Sequence, residues 1–81
     1  MFINKNSNGE NNRCGKKVAE IRKEMKLSQR QLADALQLLG MDVDKNAVQR
    51  IEAGKRFVTD IEIVYLSEAL KTTVLDLLGL S

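Results

Sequence analysis

Apolar residues recur at helical spacing along the chain from residue 16 onward. Val18, Ile21 and Met25 lie at positions i, i+3 and i+7, which predicts a first amphipathic helix over residues 15–25. The same spacing predicts helices that begin at Gln29 and that cover about 45–53, 60–70 and 74–79. The residues expected to face the core from these four helices are Leu32, Ala33, Leu36, Leu39, Ala47, Val48, Ile51, Ile63, Leu66, Ser67, Leu70, Leu75 and Leu78. Since no strand pattern or repeat is present, the chain is predicted to be an all-α domain of five helices.

Short sequence signals mark the ends of these helices. A capping box pairs a hydroxyl with an acid or amide three residues later, and each satisfies a backbone donor at the start of a helix. The candidate boxes are Ser28 with Gln31, Thr59 with Glu62 and, with the shorter acid, Thr73 with Asp76. Gly40 occupies a position that suits a left-handed C-cap, and Asp44 is expected to cap the third helix.

Composition limits the chemistry that the chain can perform. The sequence has 81 residues, no histidine and one cysteine, Cys14. A chain with no histidine and a single cysteine cannot form a Cys/His zinc site, an intramolecular disulfide or a Ser-His-Asp triad. We therefore expect a single small domain that is not an enzyme and has no cofactor or metal.

The first fourteen residues differ from the rest of the chain. Residues 1–14 contain five asparagines and are expected to form a flexible polar tail before a domain over residues 15–81. The sequence shows no secretory signal and no apolar run that approaches membrane-spanning length, so a cytoplasmic protein of a bacterium or phage, without a membrane partner, is expected.

The third helix carries the strongest functional signal. On a helical wheel Lys45, Asn46, Gln49 and Arg50 span roughly 0° to 140° on the face opposite its apolar residues, and this face contains no carboxylate. Arginine and lysine donate to guanine, and asparagine and glutamine pair with adenine, in the major groove of DNA. The alternative is an ordinary solvated helix face, which carries the same residue types.

Three spaced segments stand out: Gly15-Lys16-Lys17-Val18-Ala19-Glu20-Ile21-Arg22-Lys23, Leu27-Ser28-Gln29 with Leu32-Ala33, and Val48-Gln49-Arg50-Ile51-Glu52-Ala53-Gly54-Lys55-Arg56. Together they resemble the phage repressor and Cro type of helix-turn-helix domain, the XRE-like family, over about residues 13–80. The resemblance implies a lambda repressor-type fold in which the third helix lies in the major groove. It places Lys45, Asn46 and Arg50 against bases, with Gln49 at their border.

The resemblance also implies roles for residues outside the third helix. The residues expected to contact the sugar-phosphate backbone are Ser28, Gln29, Lys55 and Arg56. Arg22 matches an arginine that pairs with the glutamate at Glu52, and the wheel independently places Glu52 at the border of the core, where a carboxylate needs a partner. This pair is expected to be structural.

The sequence departs from the family between Leu36 and Val43, where it has five more residues than expected. The turn between the second and third helices is therefore predicted to be long, with the second helix extended by a turn and Leu38 or Met41 packed over the insertion.

The function expected from these features is that of a sequence-specific double-stranded DNA-binding transcriptional regulator, a repressor acting on a palindromic operator. The alternative is a protein-interaction module of the same fold, such as an antitoxin. A homodimer is expected, with a candidate apolar interface formed by Ile61, Tyr65, Leu77 and Leu80. The alternative for Ile61 and Tyr65 is packing inside one monomer.

Overall fold

The computed structural model describes residues 12–80, which form five α-helices and no β-strand. The helices are α1 (Gly15–Glu24), α2 (Gln29–Leu39), α3 (Lys45–Glu52), α4 (Asp60–Ala69) and α5 (Val74–Leu77). The predicted all-α class and the order of the helices are confirmed, and the predicted helix ends lie within about two residues of the observed ones.

The first two capping boxes form as predicted. Gln31 donates its backbone N–H to Ser28 Oγ at 3.0 Å, and Ser28 donates its own to Gln31 Oε1 at 2.8 Å. At the start of α4, Glu62 donates to Thr59 Oγ1 at 3.2 Å and Thr59 donates to Glu62 Oε1 at 3.1 Å. Two orphan donors are thus satisfied at the start of each helix, so both starts are fixed locally.

Only one of the two hydrogen bonds of the third capping box is present. Thr73 Oγ1 accepts the backbone N–H of Asp76 at 3.0 Å, but the carboxylate of Asp76 accepts a hydrogen bond from Thr72 Oγ1 at 2.6 Å. Aspartate is one methylene shorter than glutamate, and here its carboxylate has a neighbouring hydroxyl as its partner.

The core lies where the four longer helices meet. Helix α2 packs against α3 and α4, α1 packs against α3, and α5 packs against α4. The largest fully buried side chains are Leu32, Leu36, Ile51, Leu66, Leu70, Leu77, Val18, Val48 and Cys14. Most of the predicted inward positions of α2, α3 and α4 are therefore part of one core.

Two predictions about core positions are wrong. Leu75 was expected to face inward from α5 but is 55% exposed, whereas Leu77 is 1% exposed. A helix of four residues has too little periodicity to fix a face, and the inward residue is selected by the way α5 meets α4. Leu39, expected in the core, is 39% exposed because it ends α2 directly before the left-handed Gly40.

The folded domain begins earlier than residue 15. The predicted tail falls mostly on residues 1–11, which lie outside the described residues, but Cys14 is 1% exposed and lies in the core. Burial raises the pKa of the Cys14 thiol to about 11, so the group is held neutral. The side chain of Asn12 makes three hydrogen bonds to the domain. Asn12 and Cys14, which the prediction assigned to the tail, therefore contact the helical domain.

The connection between α2 and α3 runs over the five residues from Gly40 to Asp44. Gly40 has φ 107°, and Met41 turns back into the core with 3% exposure. Gln37 Nε2 donates to the carbonyl oxygen of Val43 at 2.6 Å, which ties the far end of the connection to α2. Of the two candidates for packing over the insertion, Met41 does so and Leu38 is 90% exposed.

Gly15 marks a close approach between α1 and α3, and this gives the first testable prediction. A Cβ at position 15 would overlap the backbone carbonyl oxygen of Ile51, which cannot move without moving the end of α3. Gly15→Ala should therefore lower the free energy of unfolding by about 1–3 kcal/mol in a denaturant titration.

The control is Lys16→Ala at the neighbouring, exposed position of α1, for which we expect a change of less than about 0.5 kcal/mol. Equal stability of Gly15→Ala and Lys16→Ala would show that the two helices do not approach as closely as described.

Candidate nucleic-acid interface

Helix α3 has two faces of different character. Val48 and Ile51 are fully buried, and Ala47 packs partly buried beside them. The opposite face consists of four exposed side chains: Lys45, Asn46, Gln49 and Arg50. In the described part of the chain these side chains make no hydrogen bond or ion pair. The donors and acceptors of this face are therefore available to an external partner.

The start of α3 is capped by an exposed carboxylate. Asp44 Oδ1 accepts the backbone N–H of Ala47 at 2.8 Å, so the predicted cap is present. A cleft of about 400 Å³ lies beside it, between α2 and the start of α3. Its lining is mixed in charge and comprises Arg30, Ala33, Asp34, Gln37, Asp44 and Lys45. Acidic groups therefore border the polar face of α3 at its amino end.

A buried ion pair holds the other end of α3. Arg22 Nε lies 2.6 Å from Glu52 Oε2 and Arg22 Nη2 lies 3.1 Å from Glu52 Oε1, with side chains only 11% and 8% exposed. Arg22 Nη1 also donates to the carbonyl oxygen of Leu27 at 2.7 Å. The bidentate pair that the sequence resemblance implied is present, and it joins α1 to α3.

The candidate phosphate contacts at the start of α2 have partners within the protein. Gln29 Nε2 donates to Glu52 Oε1 at 3.1 Å, and Ser28 Oγ accepts from Gln31 in the capping box. Ser28 is exposed and Gln29 half-buried. The structure thus gives each residue a scaffold role, while their contact with DNA stays a prediction.

The two candidate phosphate contacts after α3 differ from each other. Lys55 is exposed, and its backbone N–H donates to the carbonyl oxygen of Arg50 at 2.9 Å. Arg56 is half-buried and its guanidinium pairs with Glu62 through two hydrogen bonds of 3.0 and 2.9 Å. This pairing raises the pKa of Arg56 and holds the pKa of Glu62 below its usual range.

Two further residues, Glu62 and Asn12, contact Arg56 in the loop after α3, and the sequence analysis did not connect them with the site. Glu62 was recognised as a capping residue but not as the partner of Arg56. Asn12, assigned to the tail, donates to the carbonyl oxygens of Ile51 and Arg56 at 3.0 and 2.7 Å. No sequence signal identifies such a contact, because it spans about forty residues and involves backbone acceptors.

The candidate dimer interface is partly wrong. Ile61 and Leu80 are exposed, at 66% and 60%, but Leu77 is buried in the core. Tyr65 is half-buried against the core, with its hydroxyl beside Gly40, and so it packs inside the monomer. Other exposed apolar side chains on α4, α5 and the loop before α4 are Phe57, Val64 and Leu75.

Residues 12–80 show neither a metal-binding cluster nor a membrane-spanning helix. No group of three or more Cys, Asp or Glu side chains there is arranged to hold a metal ion. None of the five helices is long and apolar enough to cross a membrane.

Comparison with known proteins identifies the family. The family model described as helix-turn-helix matches residues 18–77, from the first half of α1 to the end of α5. The chain belongs to this helix-turn-helix family. The protein also resembles a solved structure, the restriction-modification controller protein C.AhdI from Aeromonas hydrophila, with 29% sequence identity and a TM-score of 0.70 over 80% of this chain and 91% of that chain. A search of curated proteins gave no match.

The XRE-like resemblance inferred from the sequence is thereby confirmed, and with it the class of DNA-binding transcription regulators. In this helix-turn-helix protein, α2 and α3 are the two limbs of the motif, and residues 40–44 are its turn. The polar face of α3 therefore belongs to the motif's second helix.

The pair of Arg22 and Glu52 gives the second prediction. Arg22→Ala leaves the buried carboxylate of Glu52 without its cation, so we expect the free energy of unfolding to fall by about 3–5 kcal/mol, seen as a clear drop in Tm.

Arg30→Ala serves as the control, because Arg30 is an exposed arginine of α2 without an ion pair among the described residues. Its effect should stay below about 0.5 kcal/mol. An Arg22→Ala protein as stable as this control would contradict the structural role of the pair.

Proposed function

We propose that this helix-turn-helix protein binds a specific double-stranded DNA operator, reads its major groove with α3, and represses transcription by occupying the site. The observation that supports the proposal best is the exposed face of α3, with Lys45, Asn46, Gln49 and Arg50 and no protein partner for these side chains in the described part of the chain. An ordinary solvated helix face carries the same residue types, so the DNA-binding class of the family is what favours base contact by this face.

The chemistry of this face fits base edges. Arg50 and Lys45 offer donors to the O6 and N7 acceptors of guanine, and Asn46 and Gln49 offer the donor and acceptor pair that adenine requires. Buried Val48 and Ile51 hold the opposite face of α3 against the core, so the four polar side chains project from a rigid element. Lys55, which is exposed and lies three residues after the end of α3, is inferred to contact a phosphate.

The distribution of charge along the sequence also supports contact between α3 and DNA. Residues 45–56 carry four cations and one anion, and that anion, Glu52, is buried against Arg22. Residues 57–81 carry one cation and four anions. The segment that contains α3 is therefore more positive than the C-terminal helices, and Lys45, Arg50 and Lys55 are the exposed cations of this segment.

We further propose that the protein binds its operator as a homodimer. One recognition helix contacts few base pairs, and helix-turn-helix dimers bind two half-sites about 34–36 Å apart. We infer that two copies pair through the exposed apolar side chains of α4 and the C-terminal segment, with Ile61 and Leu80 among them. Such a dimer has a two-fold axis and requires a palindromic operator.

If α3 contacts base edges, substitutions on its polar face should weaken binding to the specific site more than binding to random DNA. Arg50→Ala and Asn46→Ala should each cost about 1–3 kcal/mol of binding to the best site and change binding to random DNA little. Lys55→Ala should weaken binding to both by a similar factor, since a phosphate is present in every sequence. An electrophoretic shift titration on both DNAs measures these effects.

An equal loss on both DNAs for Arg50→Ala would reassign Arg50 to a phosphate contact. Absence of any salt-dependent binding at micromolar protein would reject the proposal and favour a protein-interaction module of the same fold.

Introducing a charged side chain into the exposed apolar surface of α4 and the C-terminal segment tests the proposed dimer. Leu80→Glu and Ile61→Glu should each convert the dimer to monomer in sedimentation experiments, because an unpaired carboxylate would be buried at the interface. Leu38→Glu is the matched control, since Leu38 is 90% exposed and lies on α2. A dimer that survives both interface changes would contradict this surface.

A further inference from the structure

We propose that Arg56 is a positioning residue, held between Glu62 and Asn12, that fixes the loop after α3 for DNA binding and does not itself contact a phosphate. This inference rests on the proposed function and changes the role that the family resemblance implied for Arg56.

The guanidinium of Arg56 is already occupied. Its Nη1 donates to Glu62 Oε1 at 3.0 Å and to the carbonyl oxygen of Phe57 at 3.1 Å, and its Nη2 donates to Glu62 Oε2 at 2.9 Å. Three of the five N–H groups of the side chain are thus used, and its charge is balanced by an adjacent carboxylate. A phosphate would have to displace Glu62 to gain the full charge of Arg56.

Glu62 is itself fixed in place. Its Oε1 also accepts the backbone N–H of Thr59 at 3.1 Å, as part of the capping box that begins α4. The carboxylate is therefore tied to a helix terminus and is 20% exposed, which makes the ion pair a link between the loop and α4.

The backbone of Arg56 is held from the other side. Asn12 Nδ2 donates to the carbonyl oxygen of Arg56 at 2.7 Å and to that of Ile51, in the last turn of α3, at 3.0 Å. Asn12 Oδ1 accepts the backbone N–H of Gly15 at 2.8 Å. One amide side chain thus connects the start of α1, the end of α3 and the loop.

These contacts restrain the backbone on the carboxyl side of Lys55. Lys55 lies between Gly54, which has φ 75°, and Arg56, and its N–H is bonded to the carbonyl oxygen of Arg50 in α3. With Arg56 held at both its side chain and its carbonyl group, the backbone of Lys55 has a defined orientation relative to the polar face of α3. Arg56 therefore acts on DNA binding through Lys55 and the loop backbone.

The salt dependence of DNA binding separates a positioning residue from a phosphate contact. The slope of log affinity against log salt counts neutralised phosphates, at about 0.9 per phosphate. We would measure it by fluorescence anisotropy on the best site for the parent and for Arg56→Gln, Arg56→Lys, Asn12→Ala and Lys55→Gln, with each variant first shown to be folded by circular dichroism.

Our inference predicts that Arg56→Gln, Arg56→Lys and Asn12→Ala all weaken binding, by on the order of tenfold, and that each lowers the slope by up to about 0.9, because Lys55 is then no longer well placed at its phosphate. Lys55→Gln should lower the slope by about 0.9. The double variant of Lys55→Gln with Arg56→Gln should lose less affinity than the sum of the single losses, because Lys55 is no longer well placed once Arg56 is removed. Asn12→Ala keeps the charge of Arg56 and therefore tests the loop anchor directly.

The inference would be overturned if Arg56→Gln lowered the slope as much as Lys55→Gln does while Arg56→Lys behaved like the parent, since lysine preserves a phosphate contact but not the bidentate pair with Glu62. Additive losses in the double variant would also overturn it. If the parent itself bound no DNA with a salt-dependent slope, the proposed function would fail and this role of Arg56 with it.

Discussion

The buried contact between Arg22 and Glu52 is the constraint on which the arrangement of the helices depends. Two charged groups that are this poorly exposed must stay paired, because separating them would leave a charge buried without a partner. Glu52 also accepts from Gln29, and Arg22 donates to the carbonyl oxygen of Leu27. The end of α1, the start of α2 and the end of α3 are therefore fixed relative to one another by one polar network.

With its carboxyl end fixed in this way, α3 needs a second anchor at its amino end. That anchor is the five-residue connection from α2, where Met41 is buried and Gln37 binds the carbonyl oxygen of Val43. Val48 and Ile51 of α3 stay fully buried in the core beside this connection. A helix held at both ends presents its polar face as a rigid surface, which is what the proposed discrimination between base sequences requires.

The sequence predicts best what is decided locally. The starts of α2 and α4 follow from the capping boxes at Ser28 and Thr59, because each box is formed by residues three apart in the chain. The two faces of α3 follow from helical periodicity. The inward face of α5 and the part played by Asn12 depend on contacts between distant segments, which no local pattern records. Glu62 can be predicted from the sequence as the capping residue of α4, but this local role gives no sign that Glu62 also pairs with Arg56.

The central claim is that the exposed face of α3 reads base sequence. Selection of bound duplexes from a random DNA pool tests it most directly, with the full chain as the bait and several rounds at physiological salt. The account predicts enrichment of one sequence with two inverted half-sites about one helical turn apart, each with fixed guanine or adenine positions. A bound pool whose sequences stay random, or a failure to retain DNA at all, would contradict it.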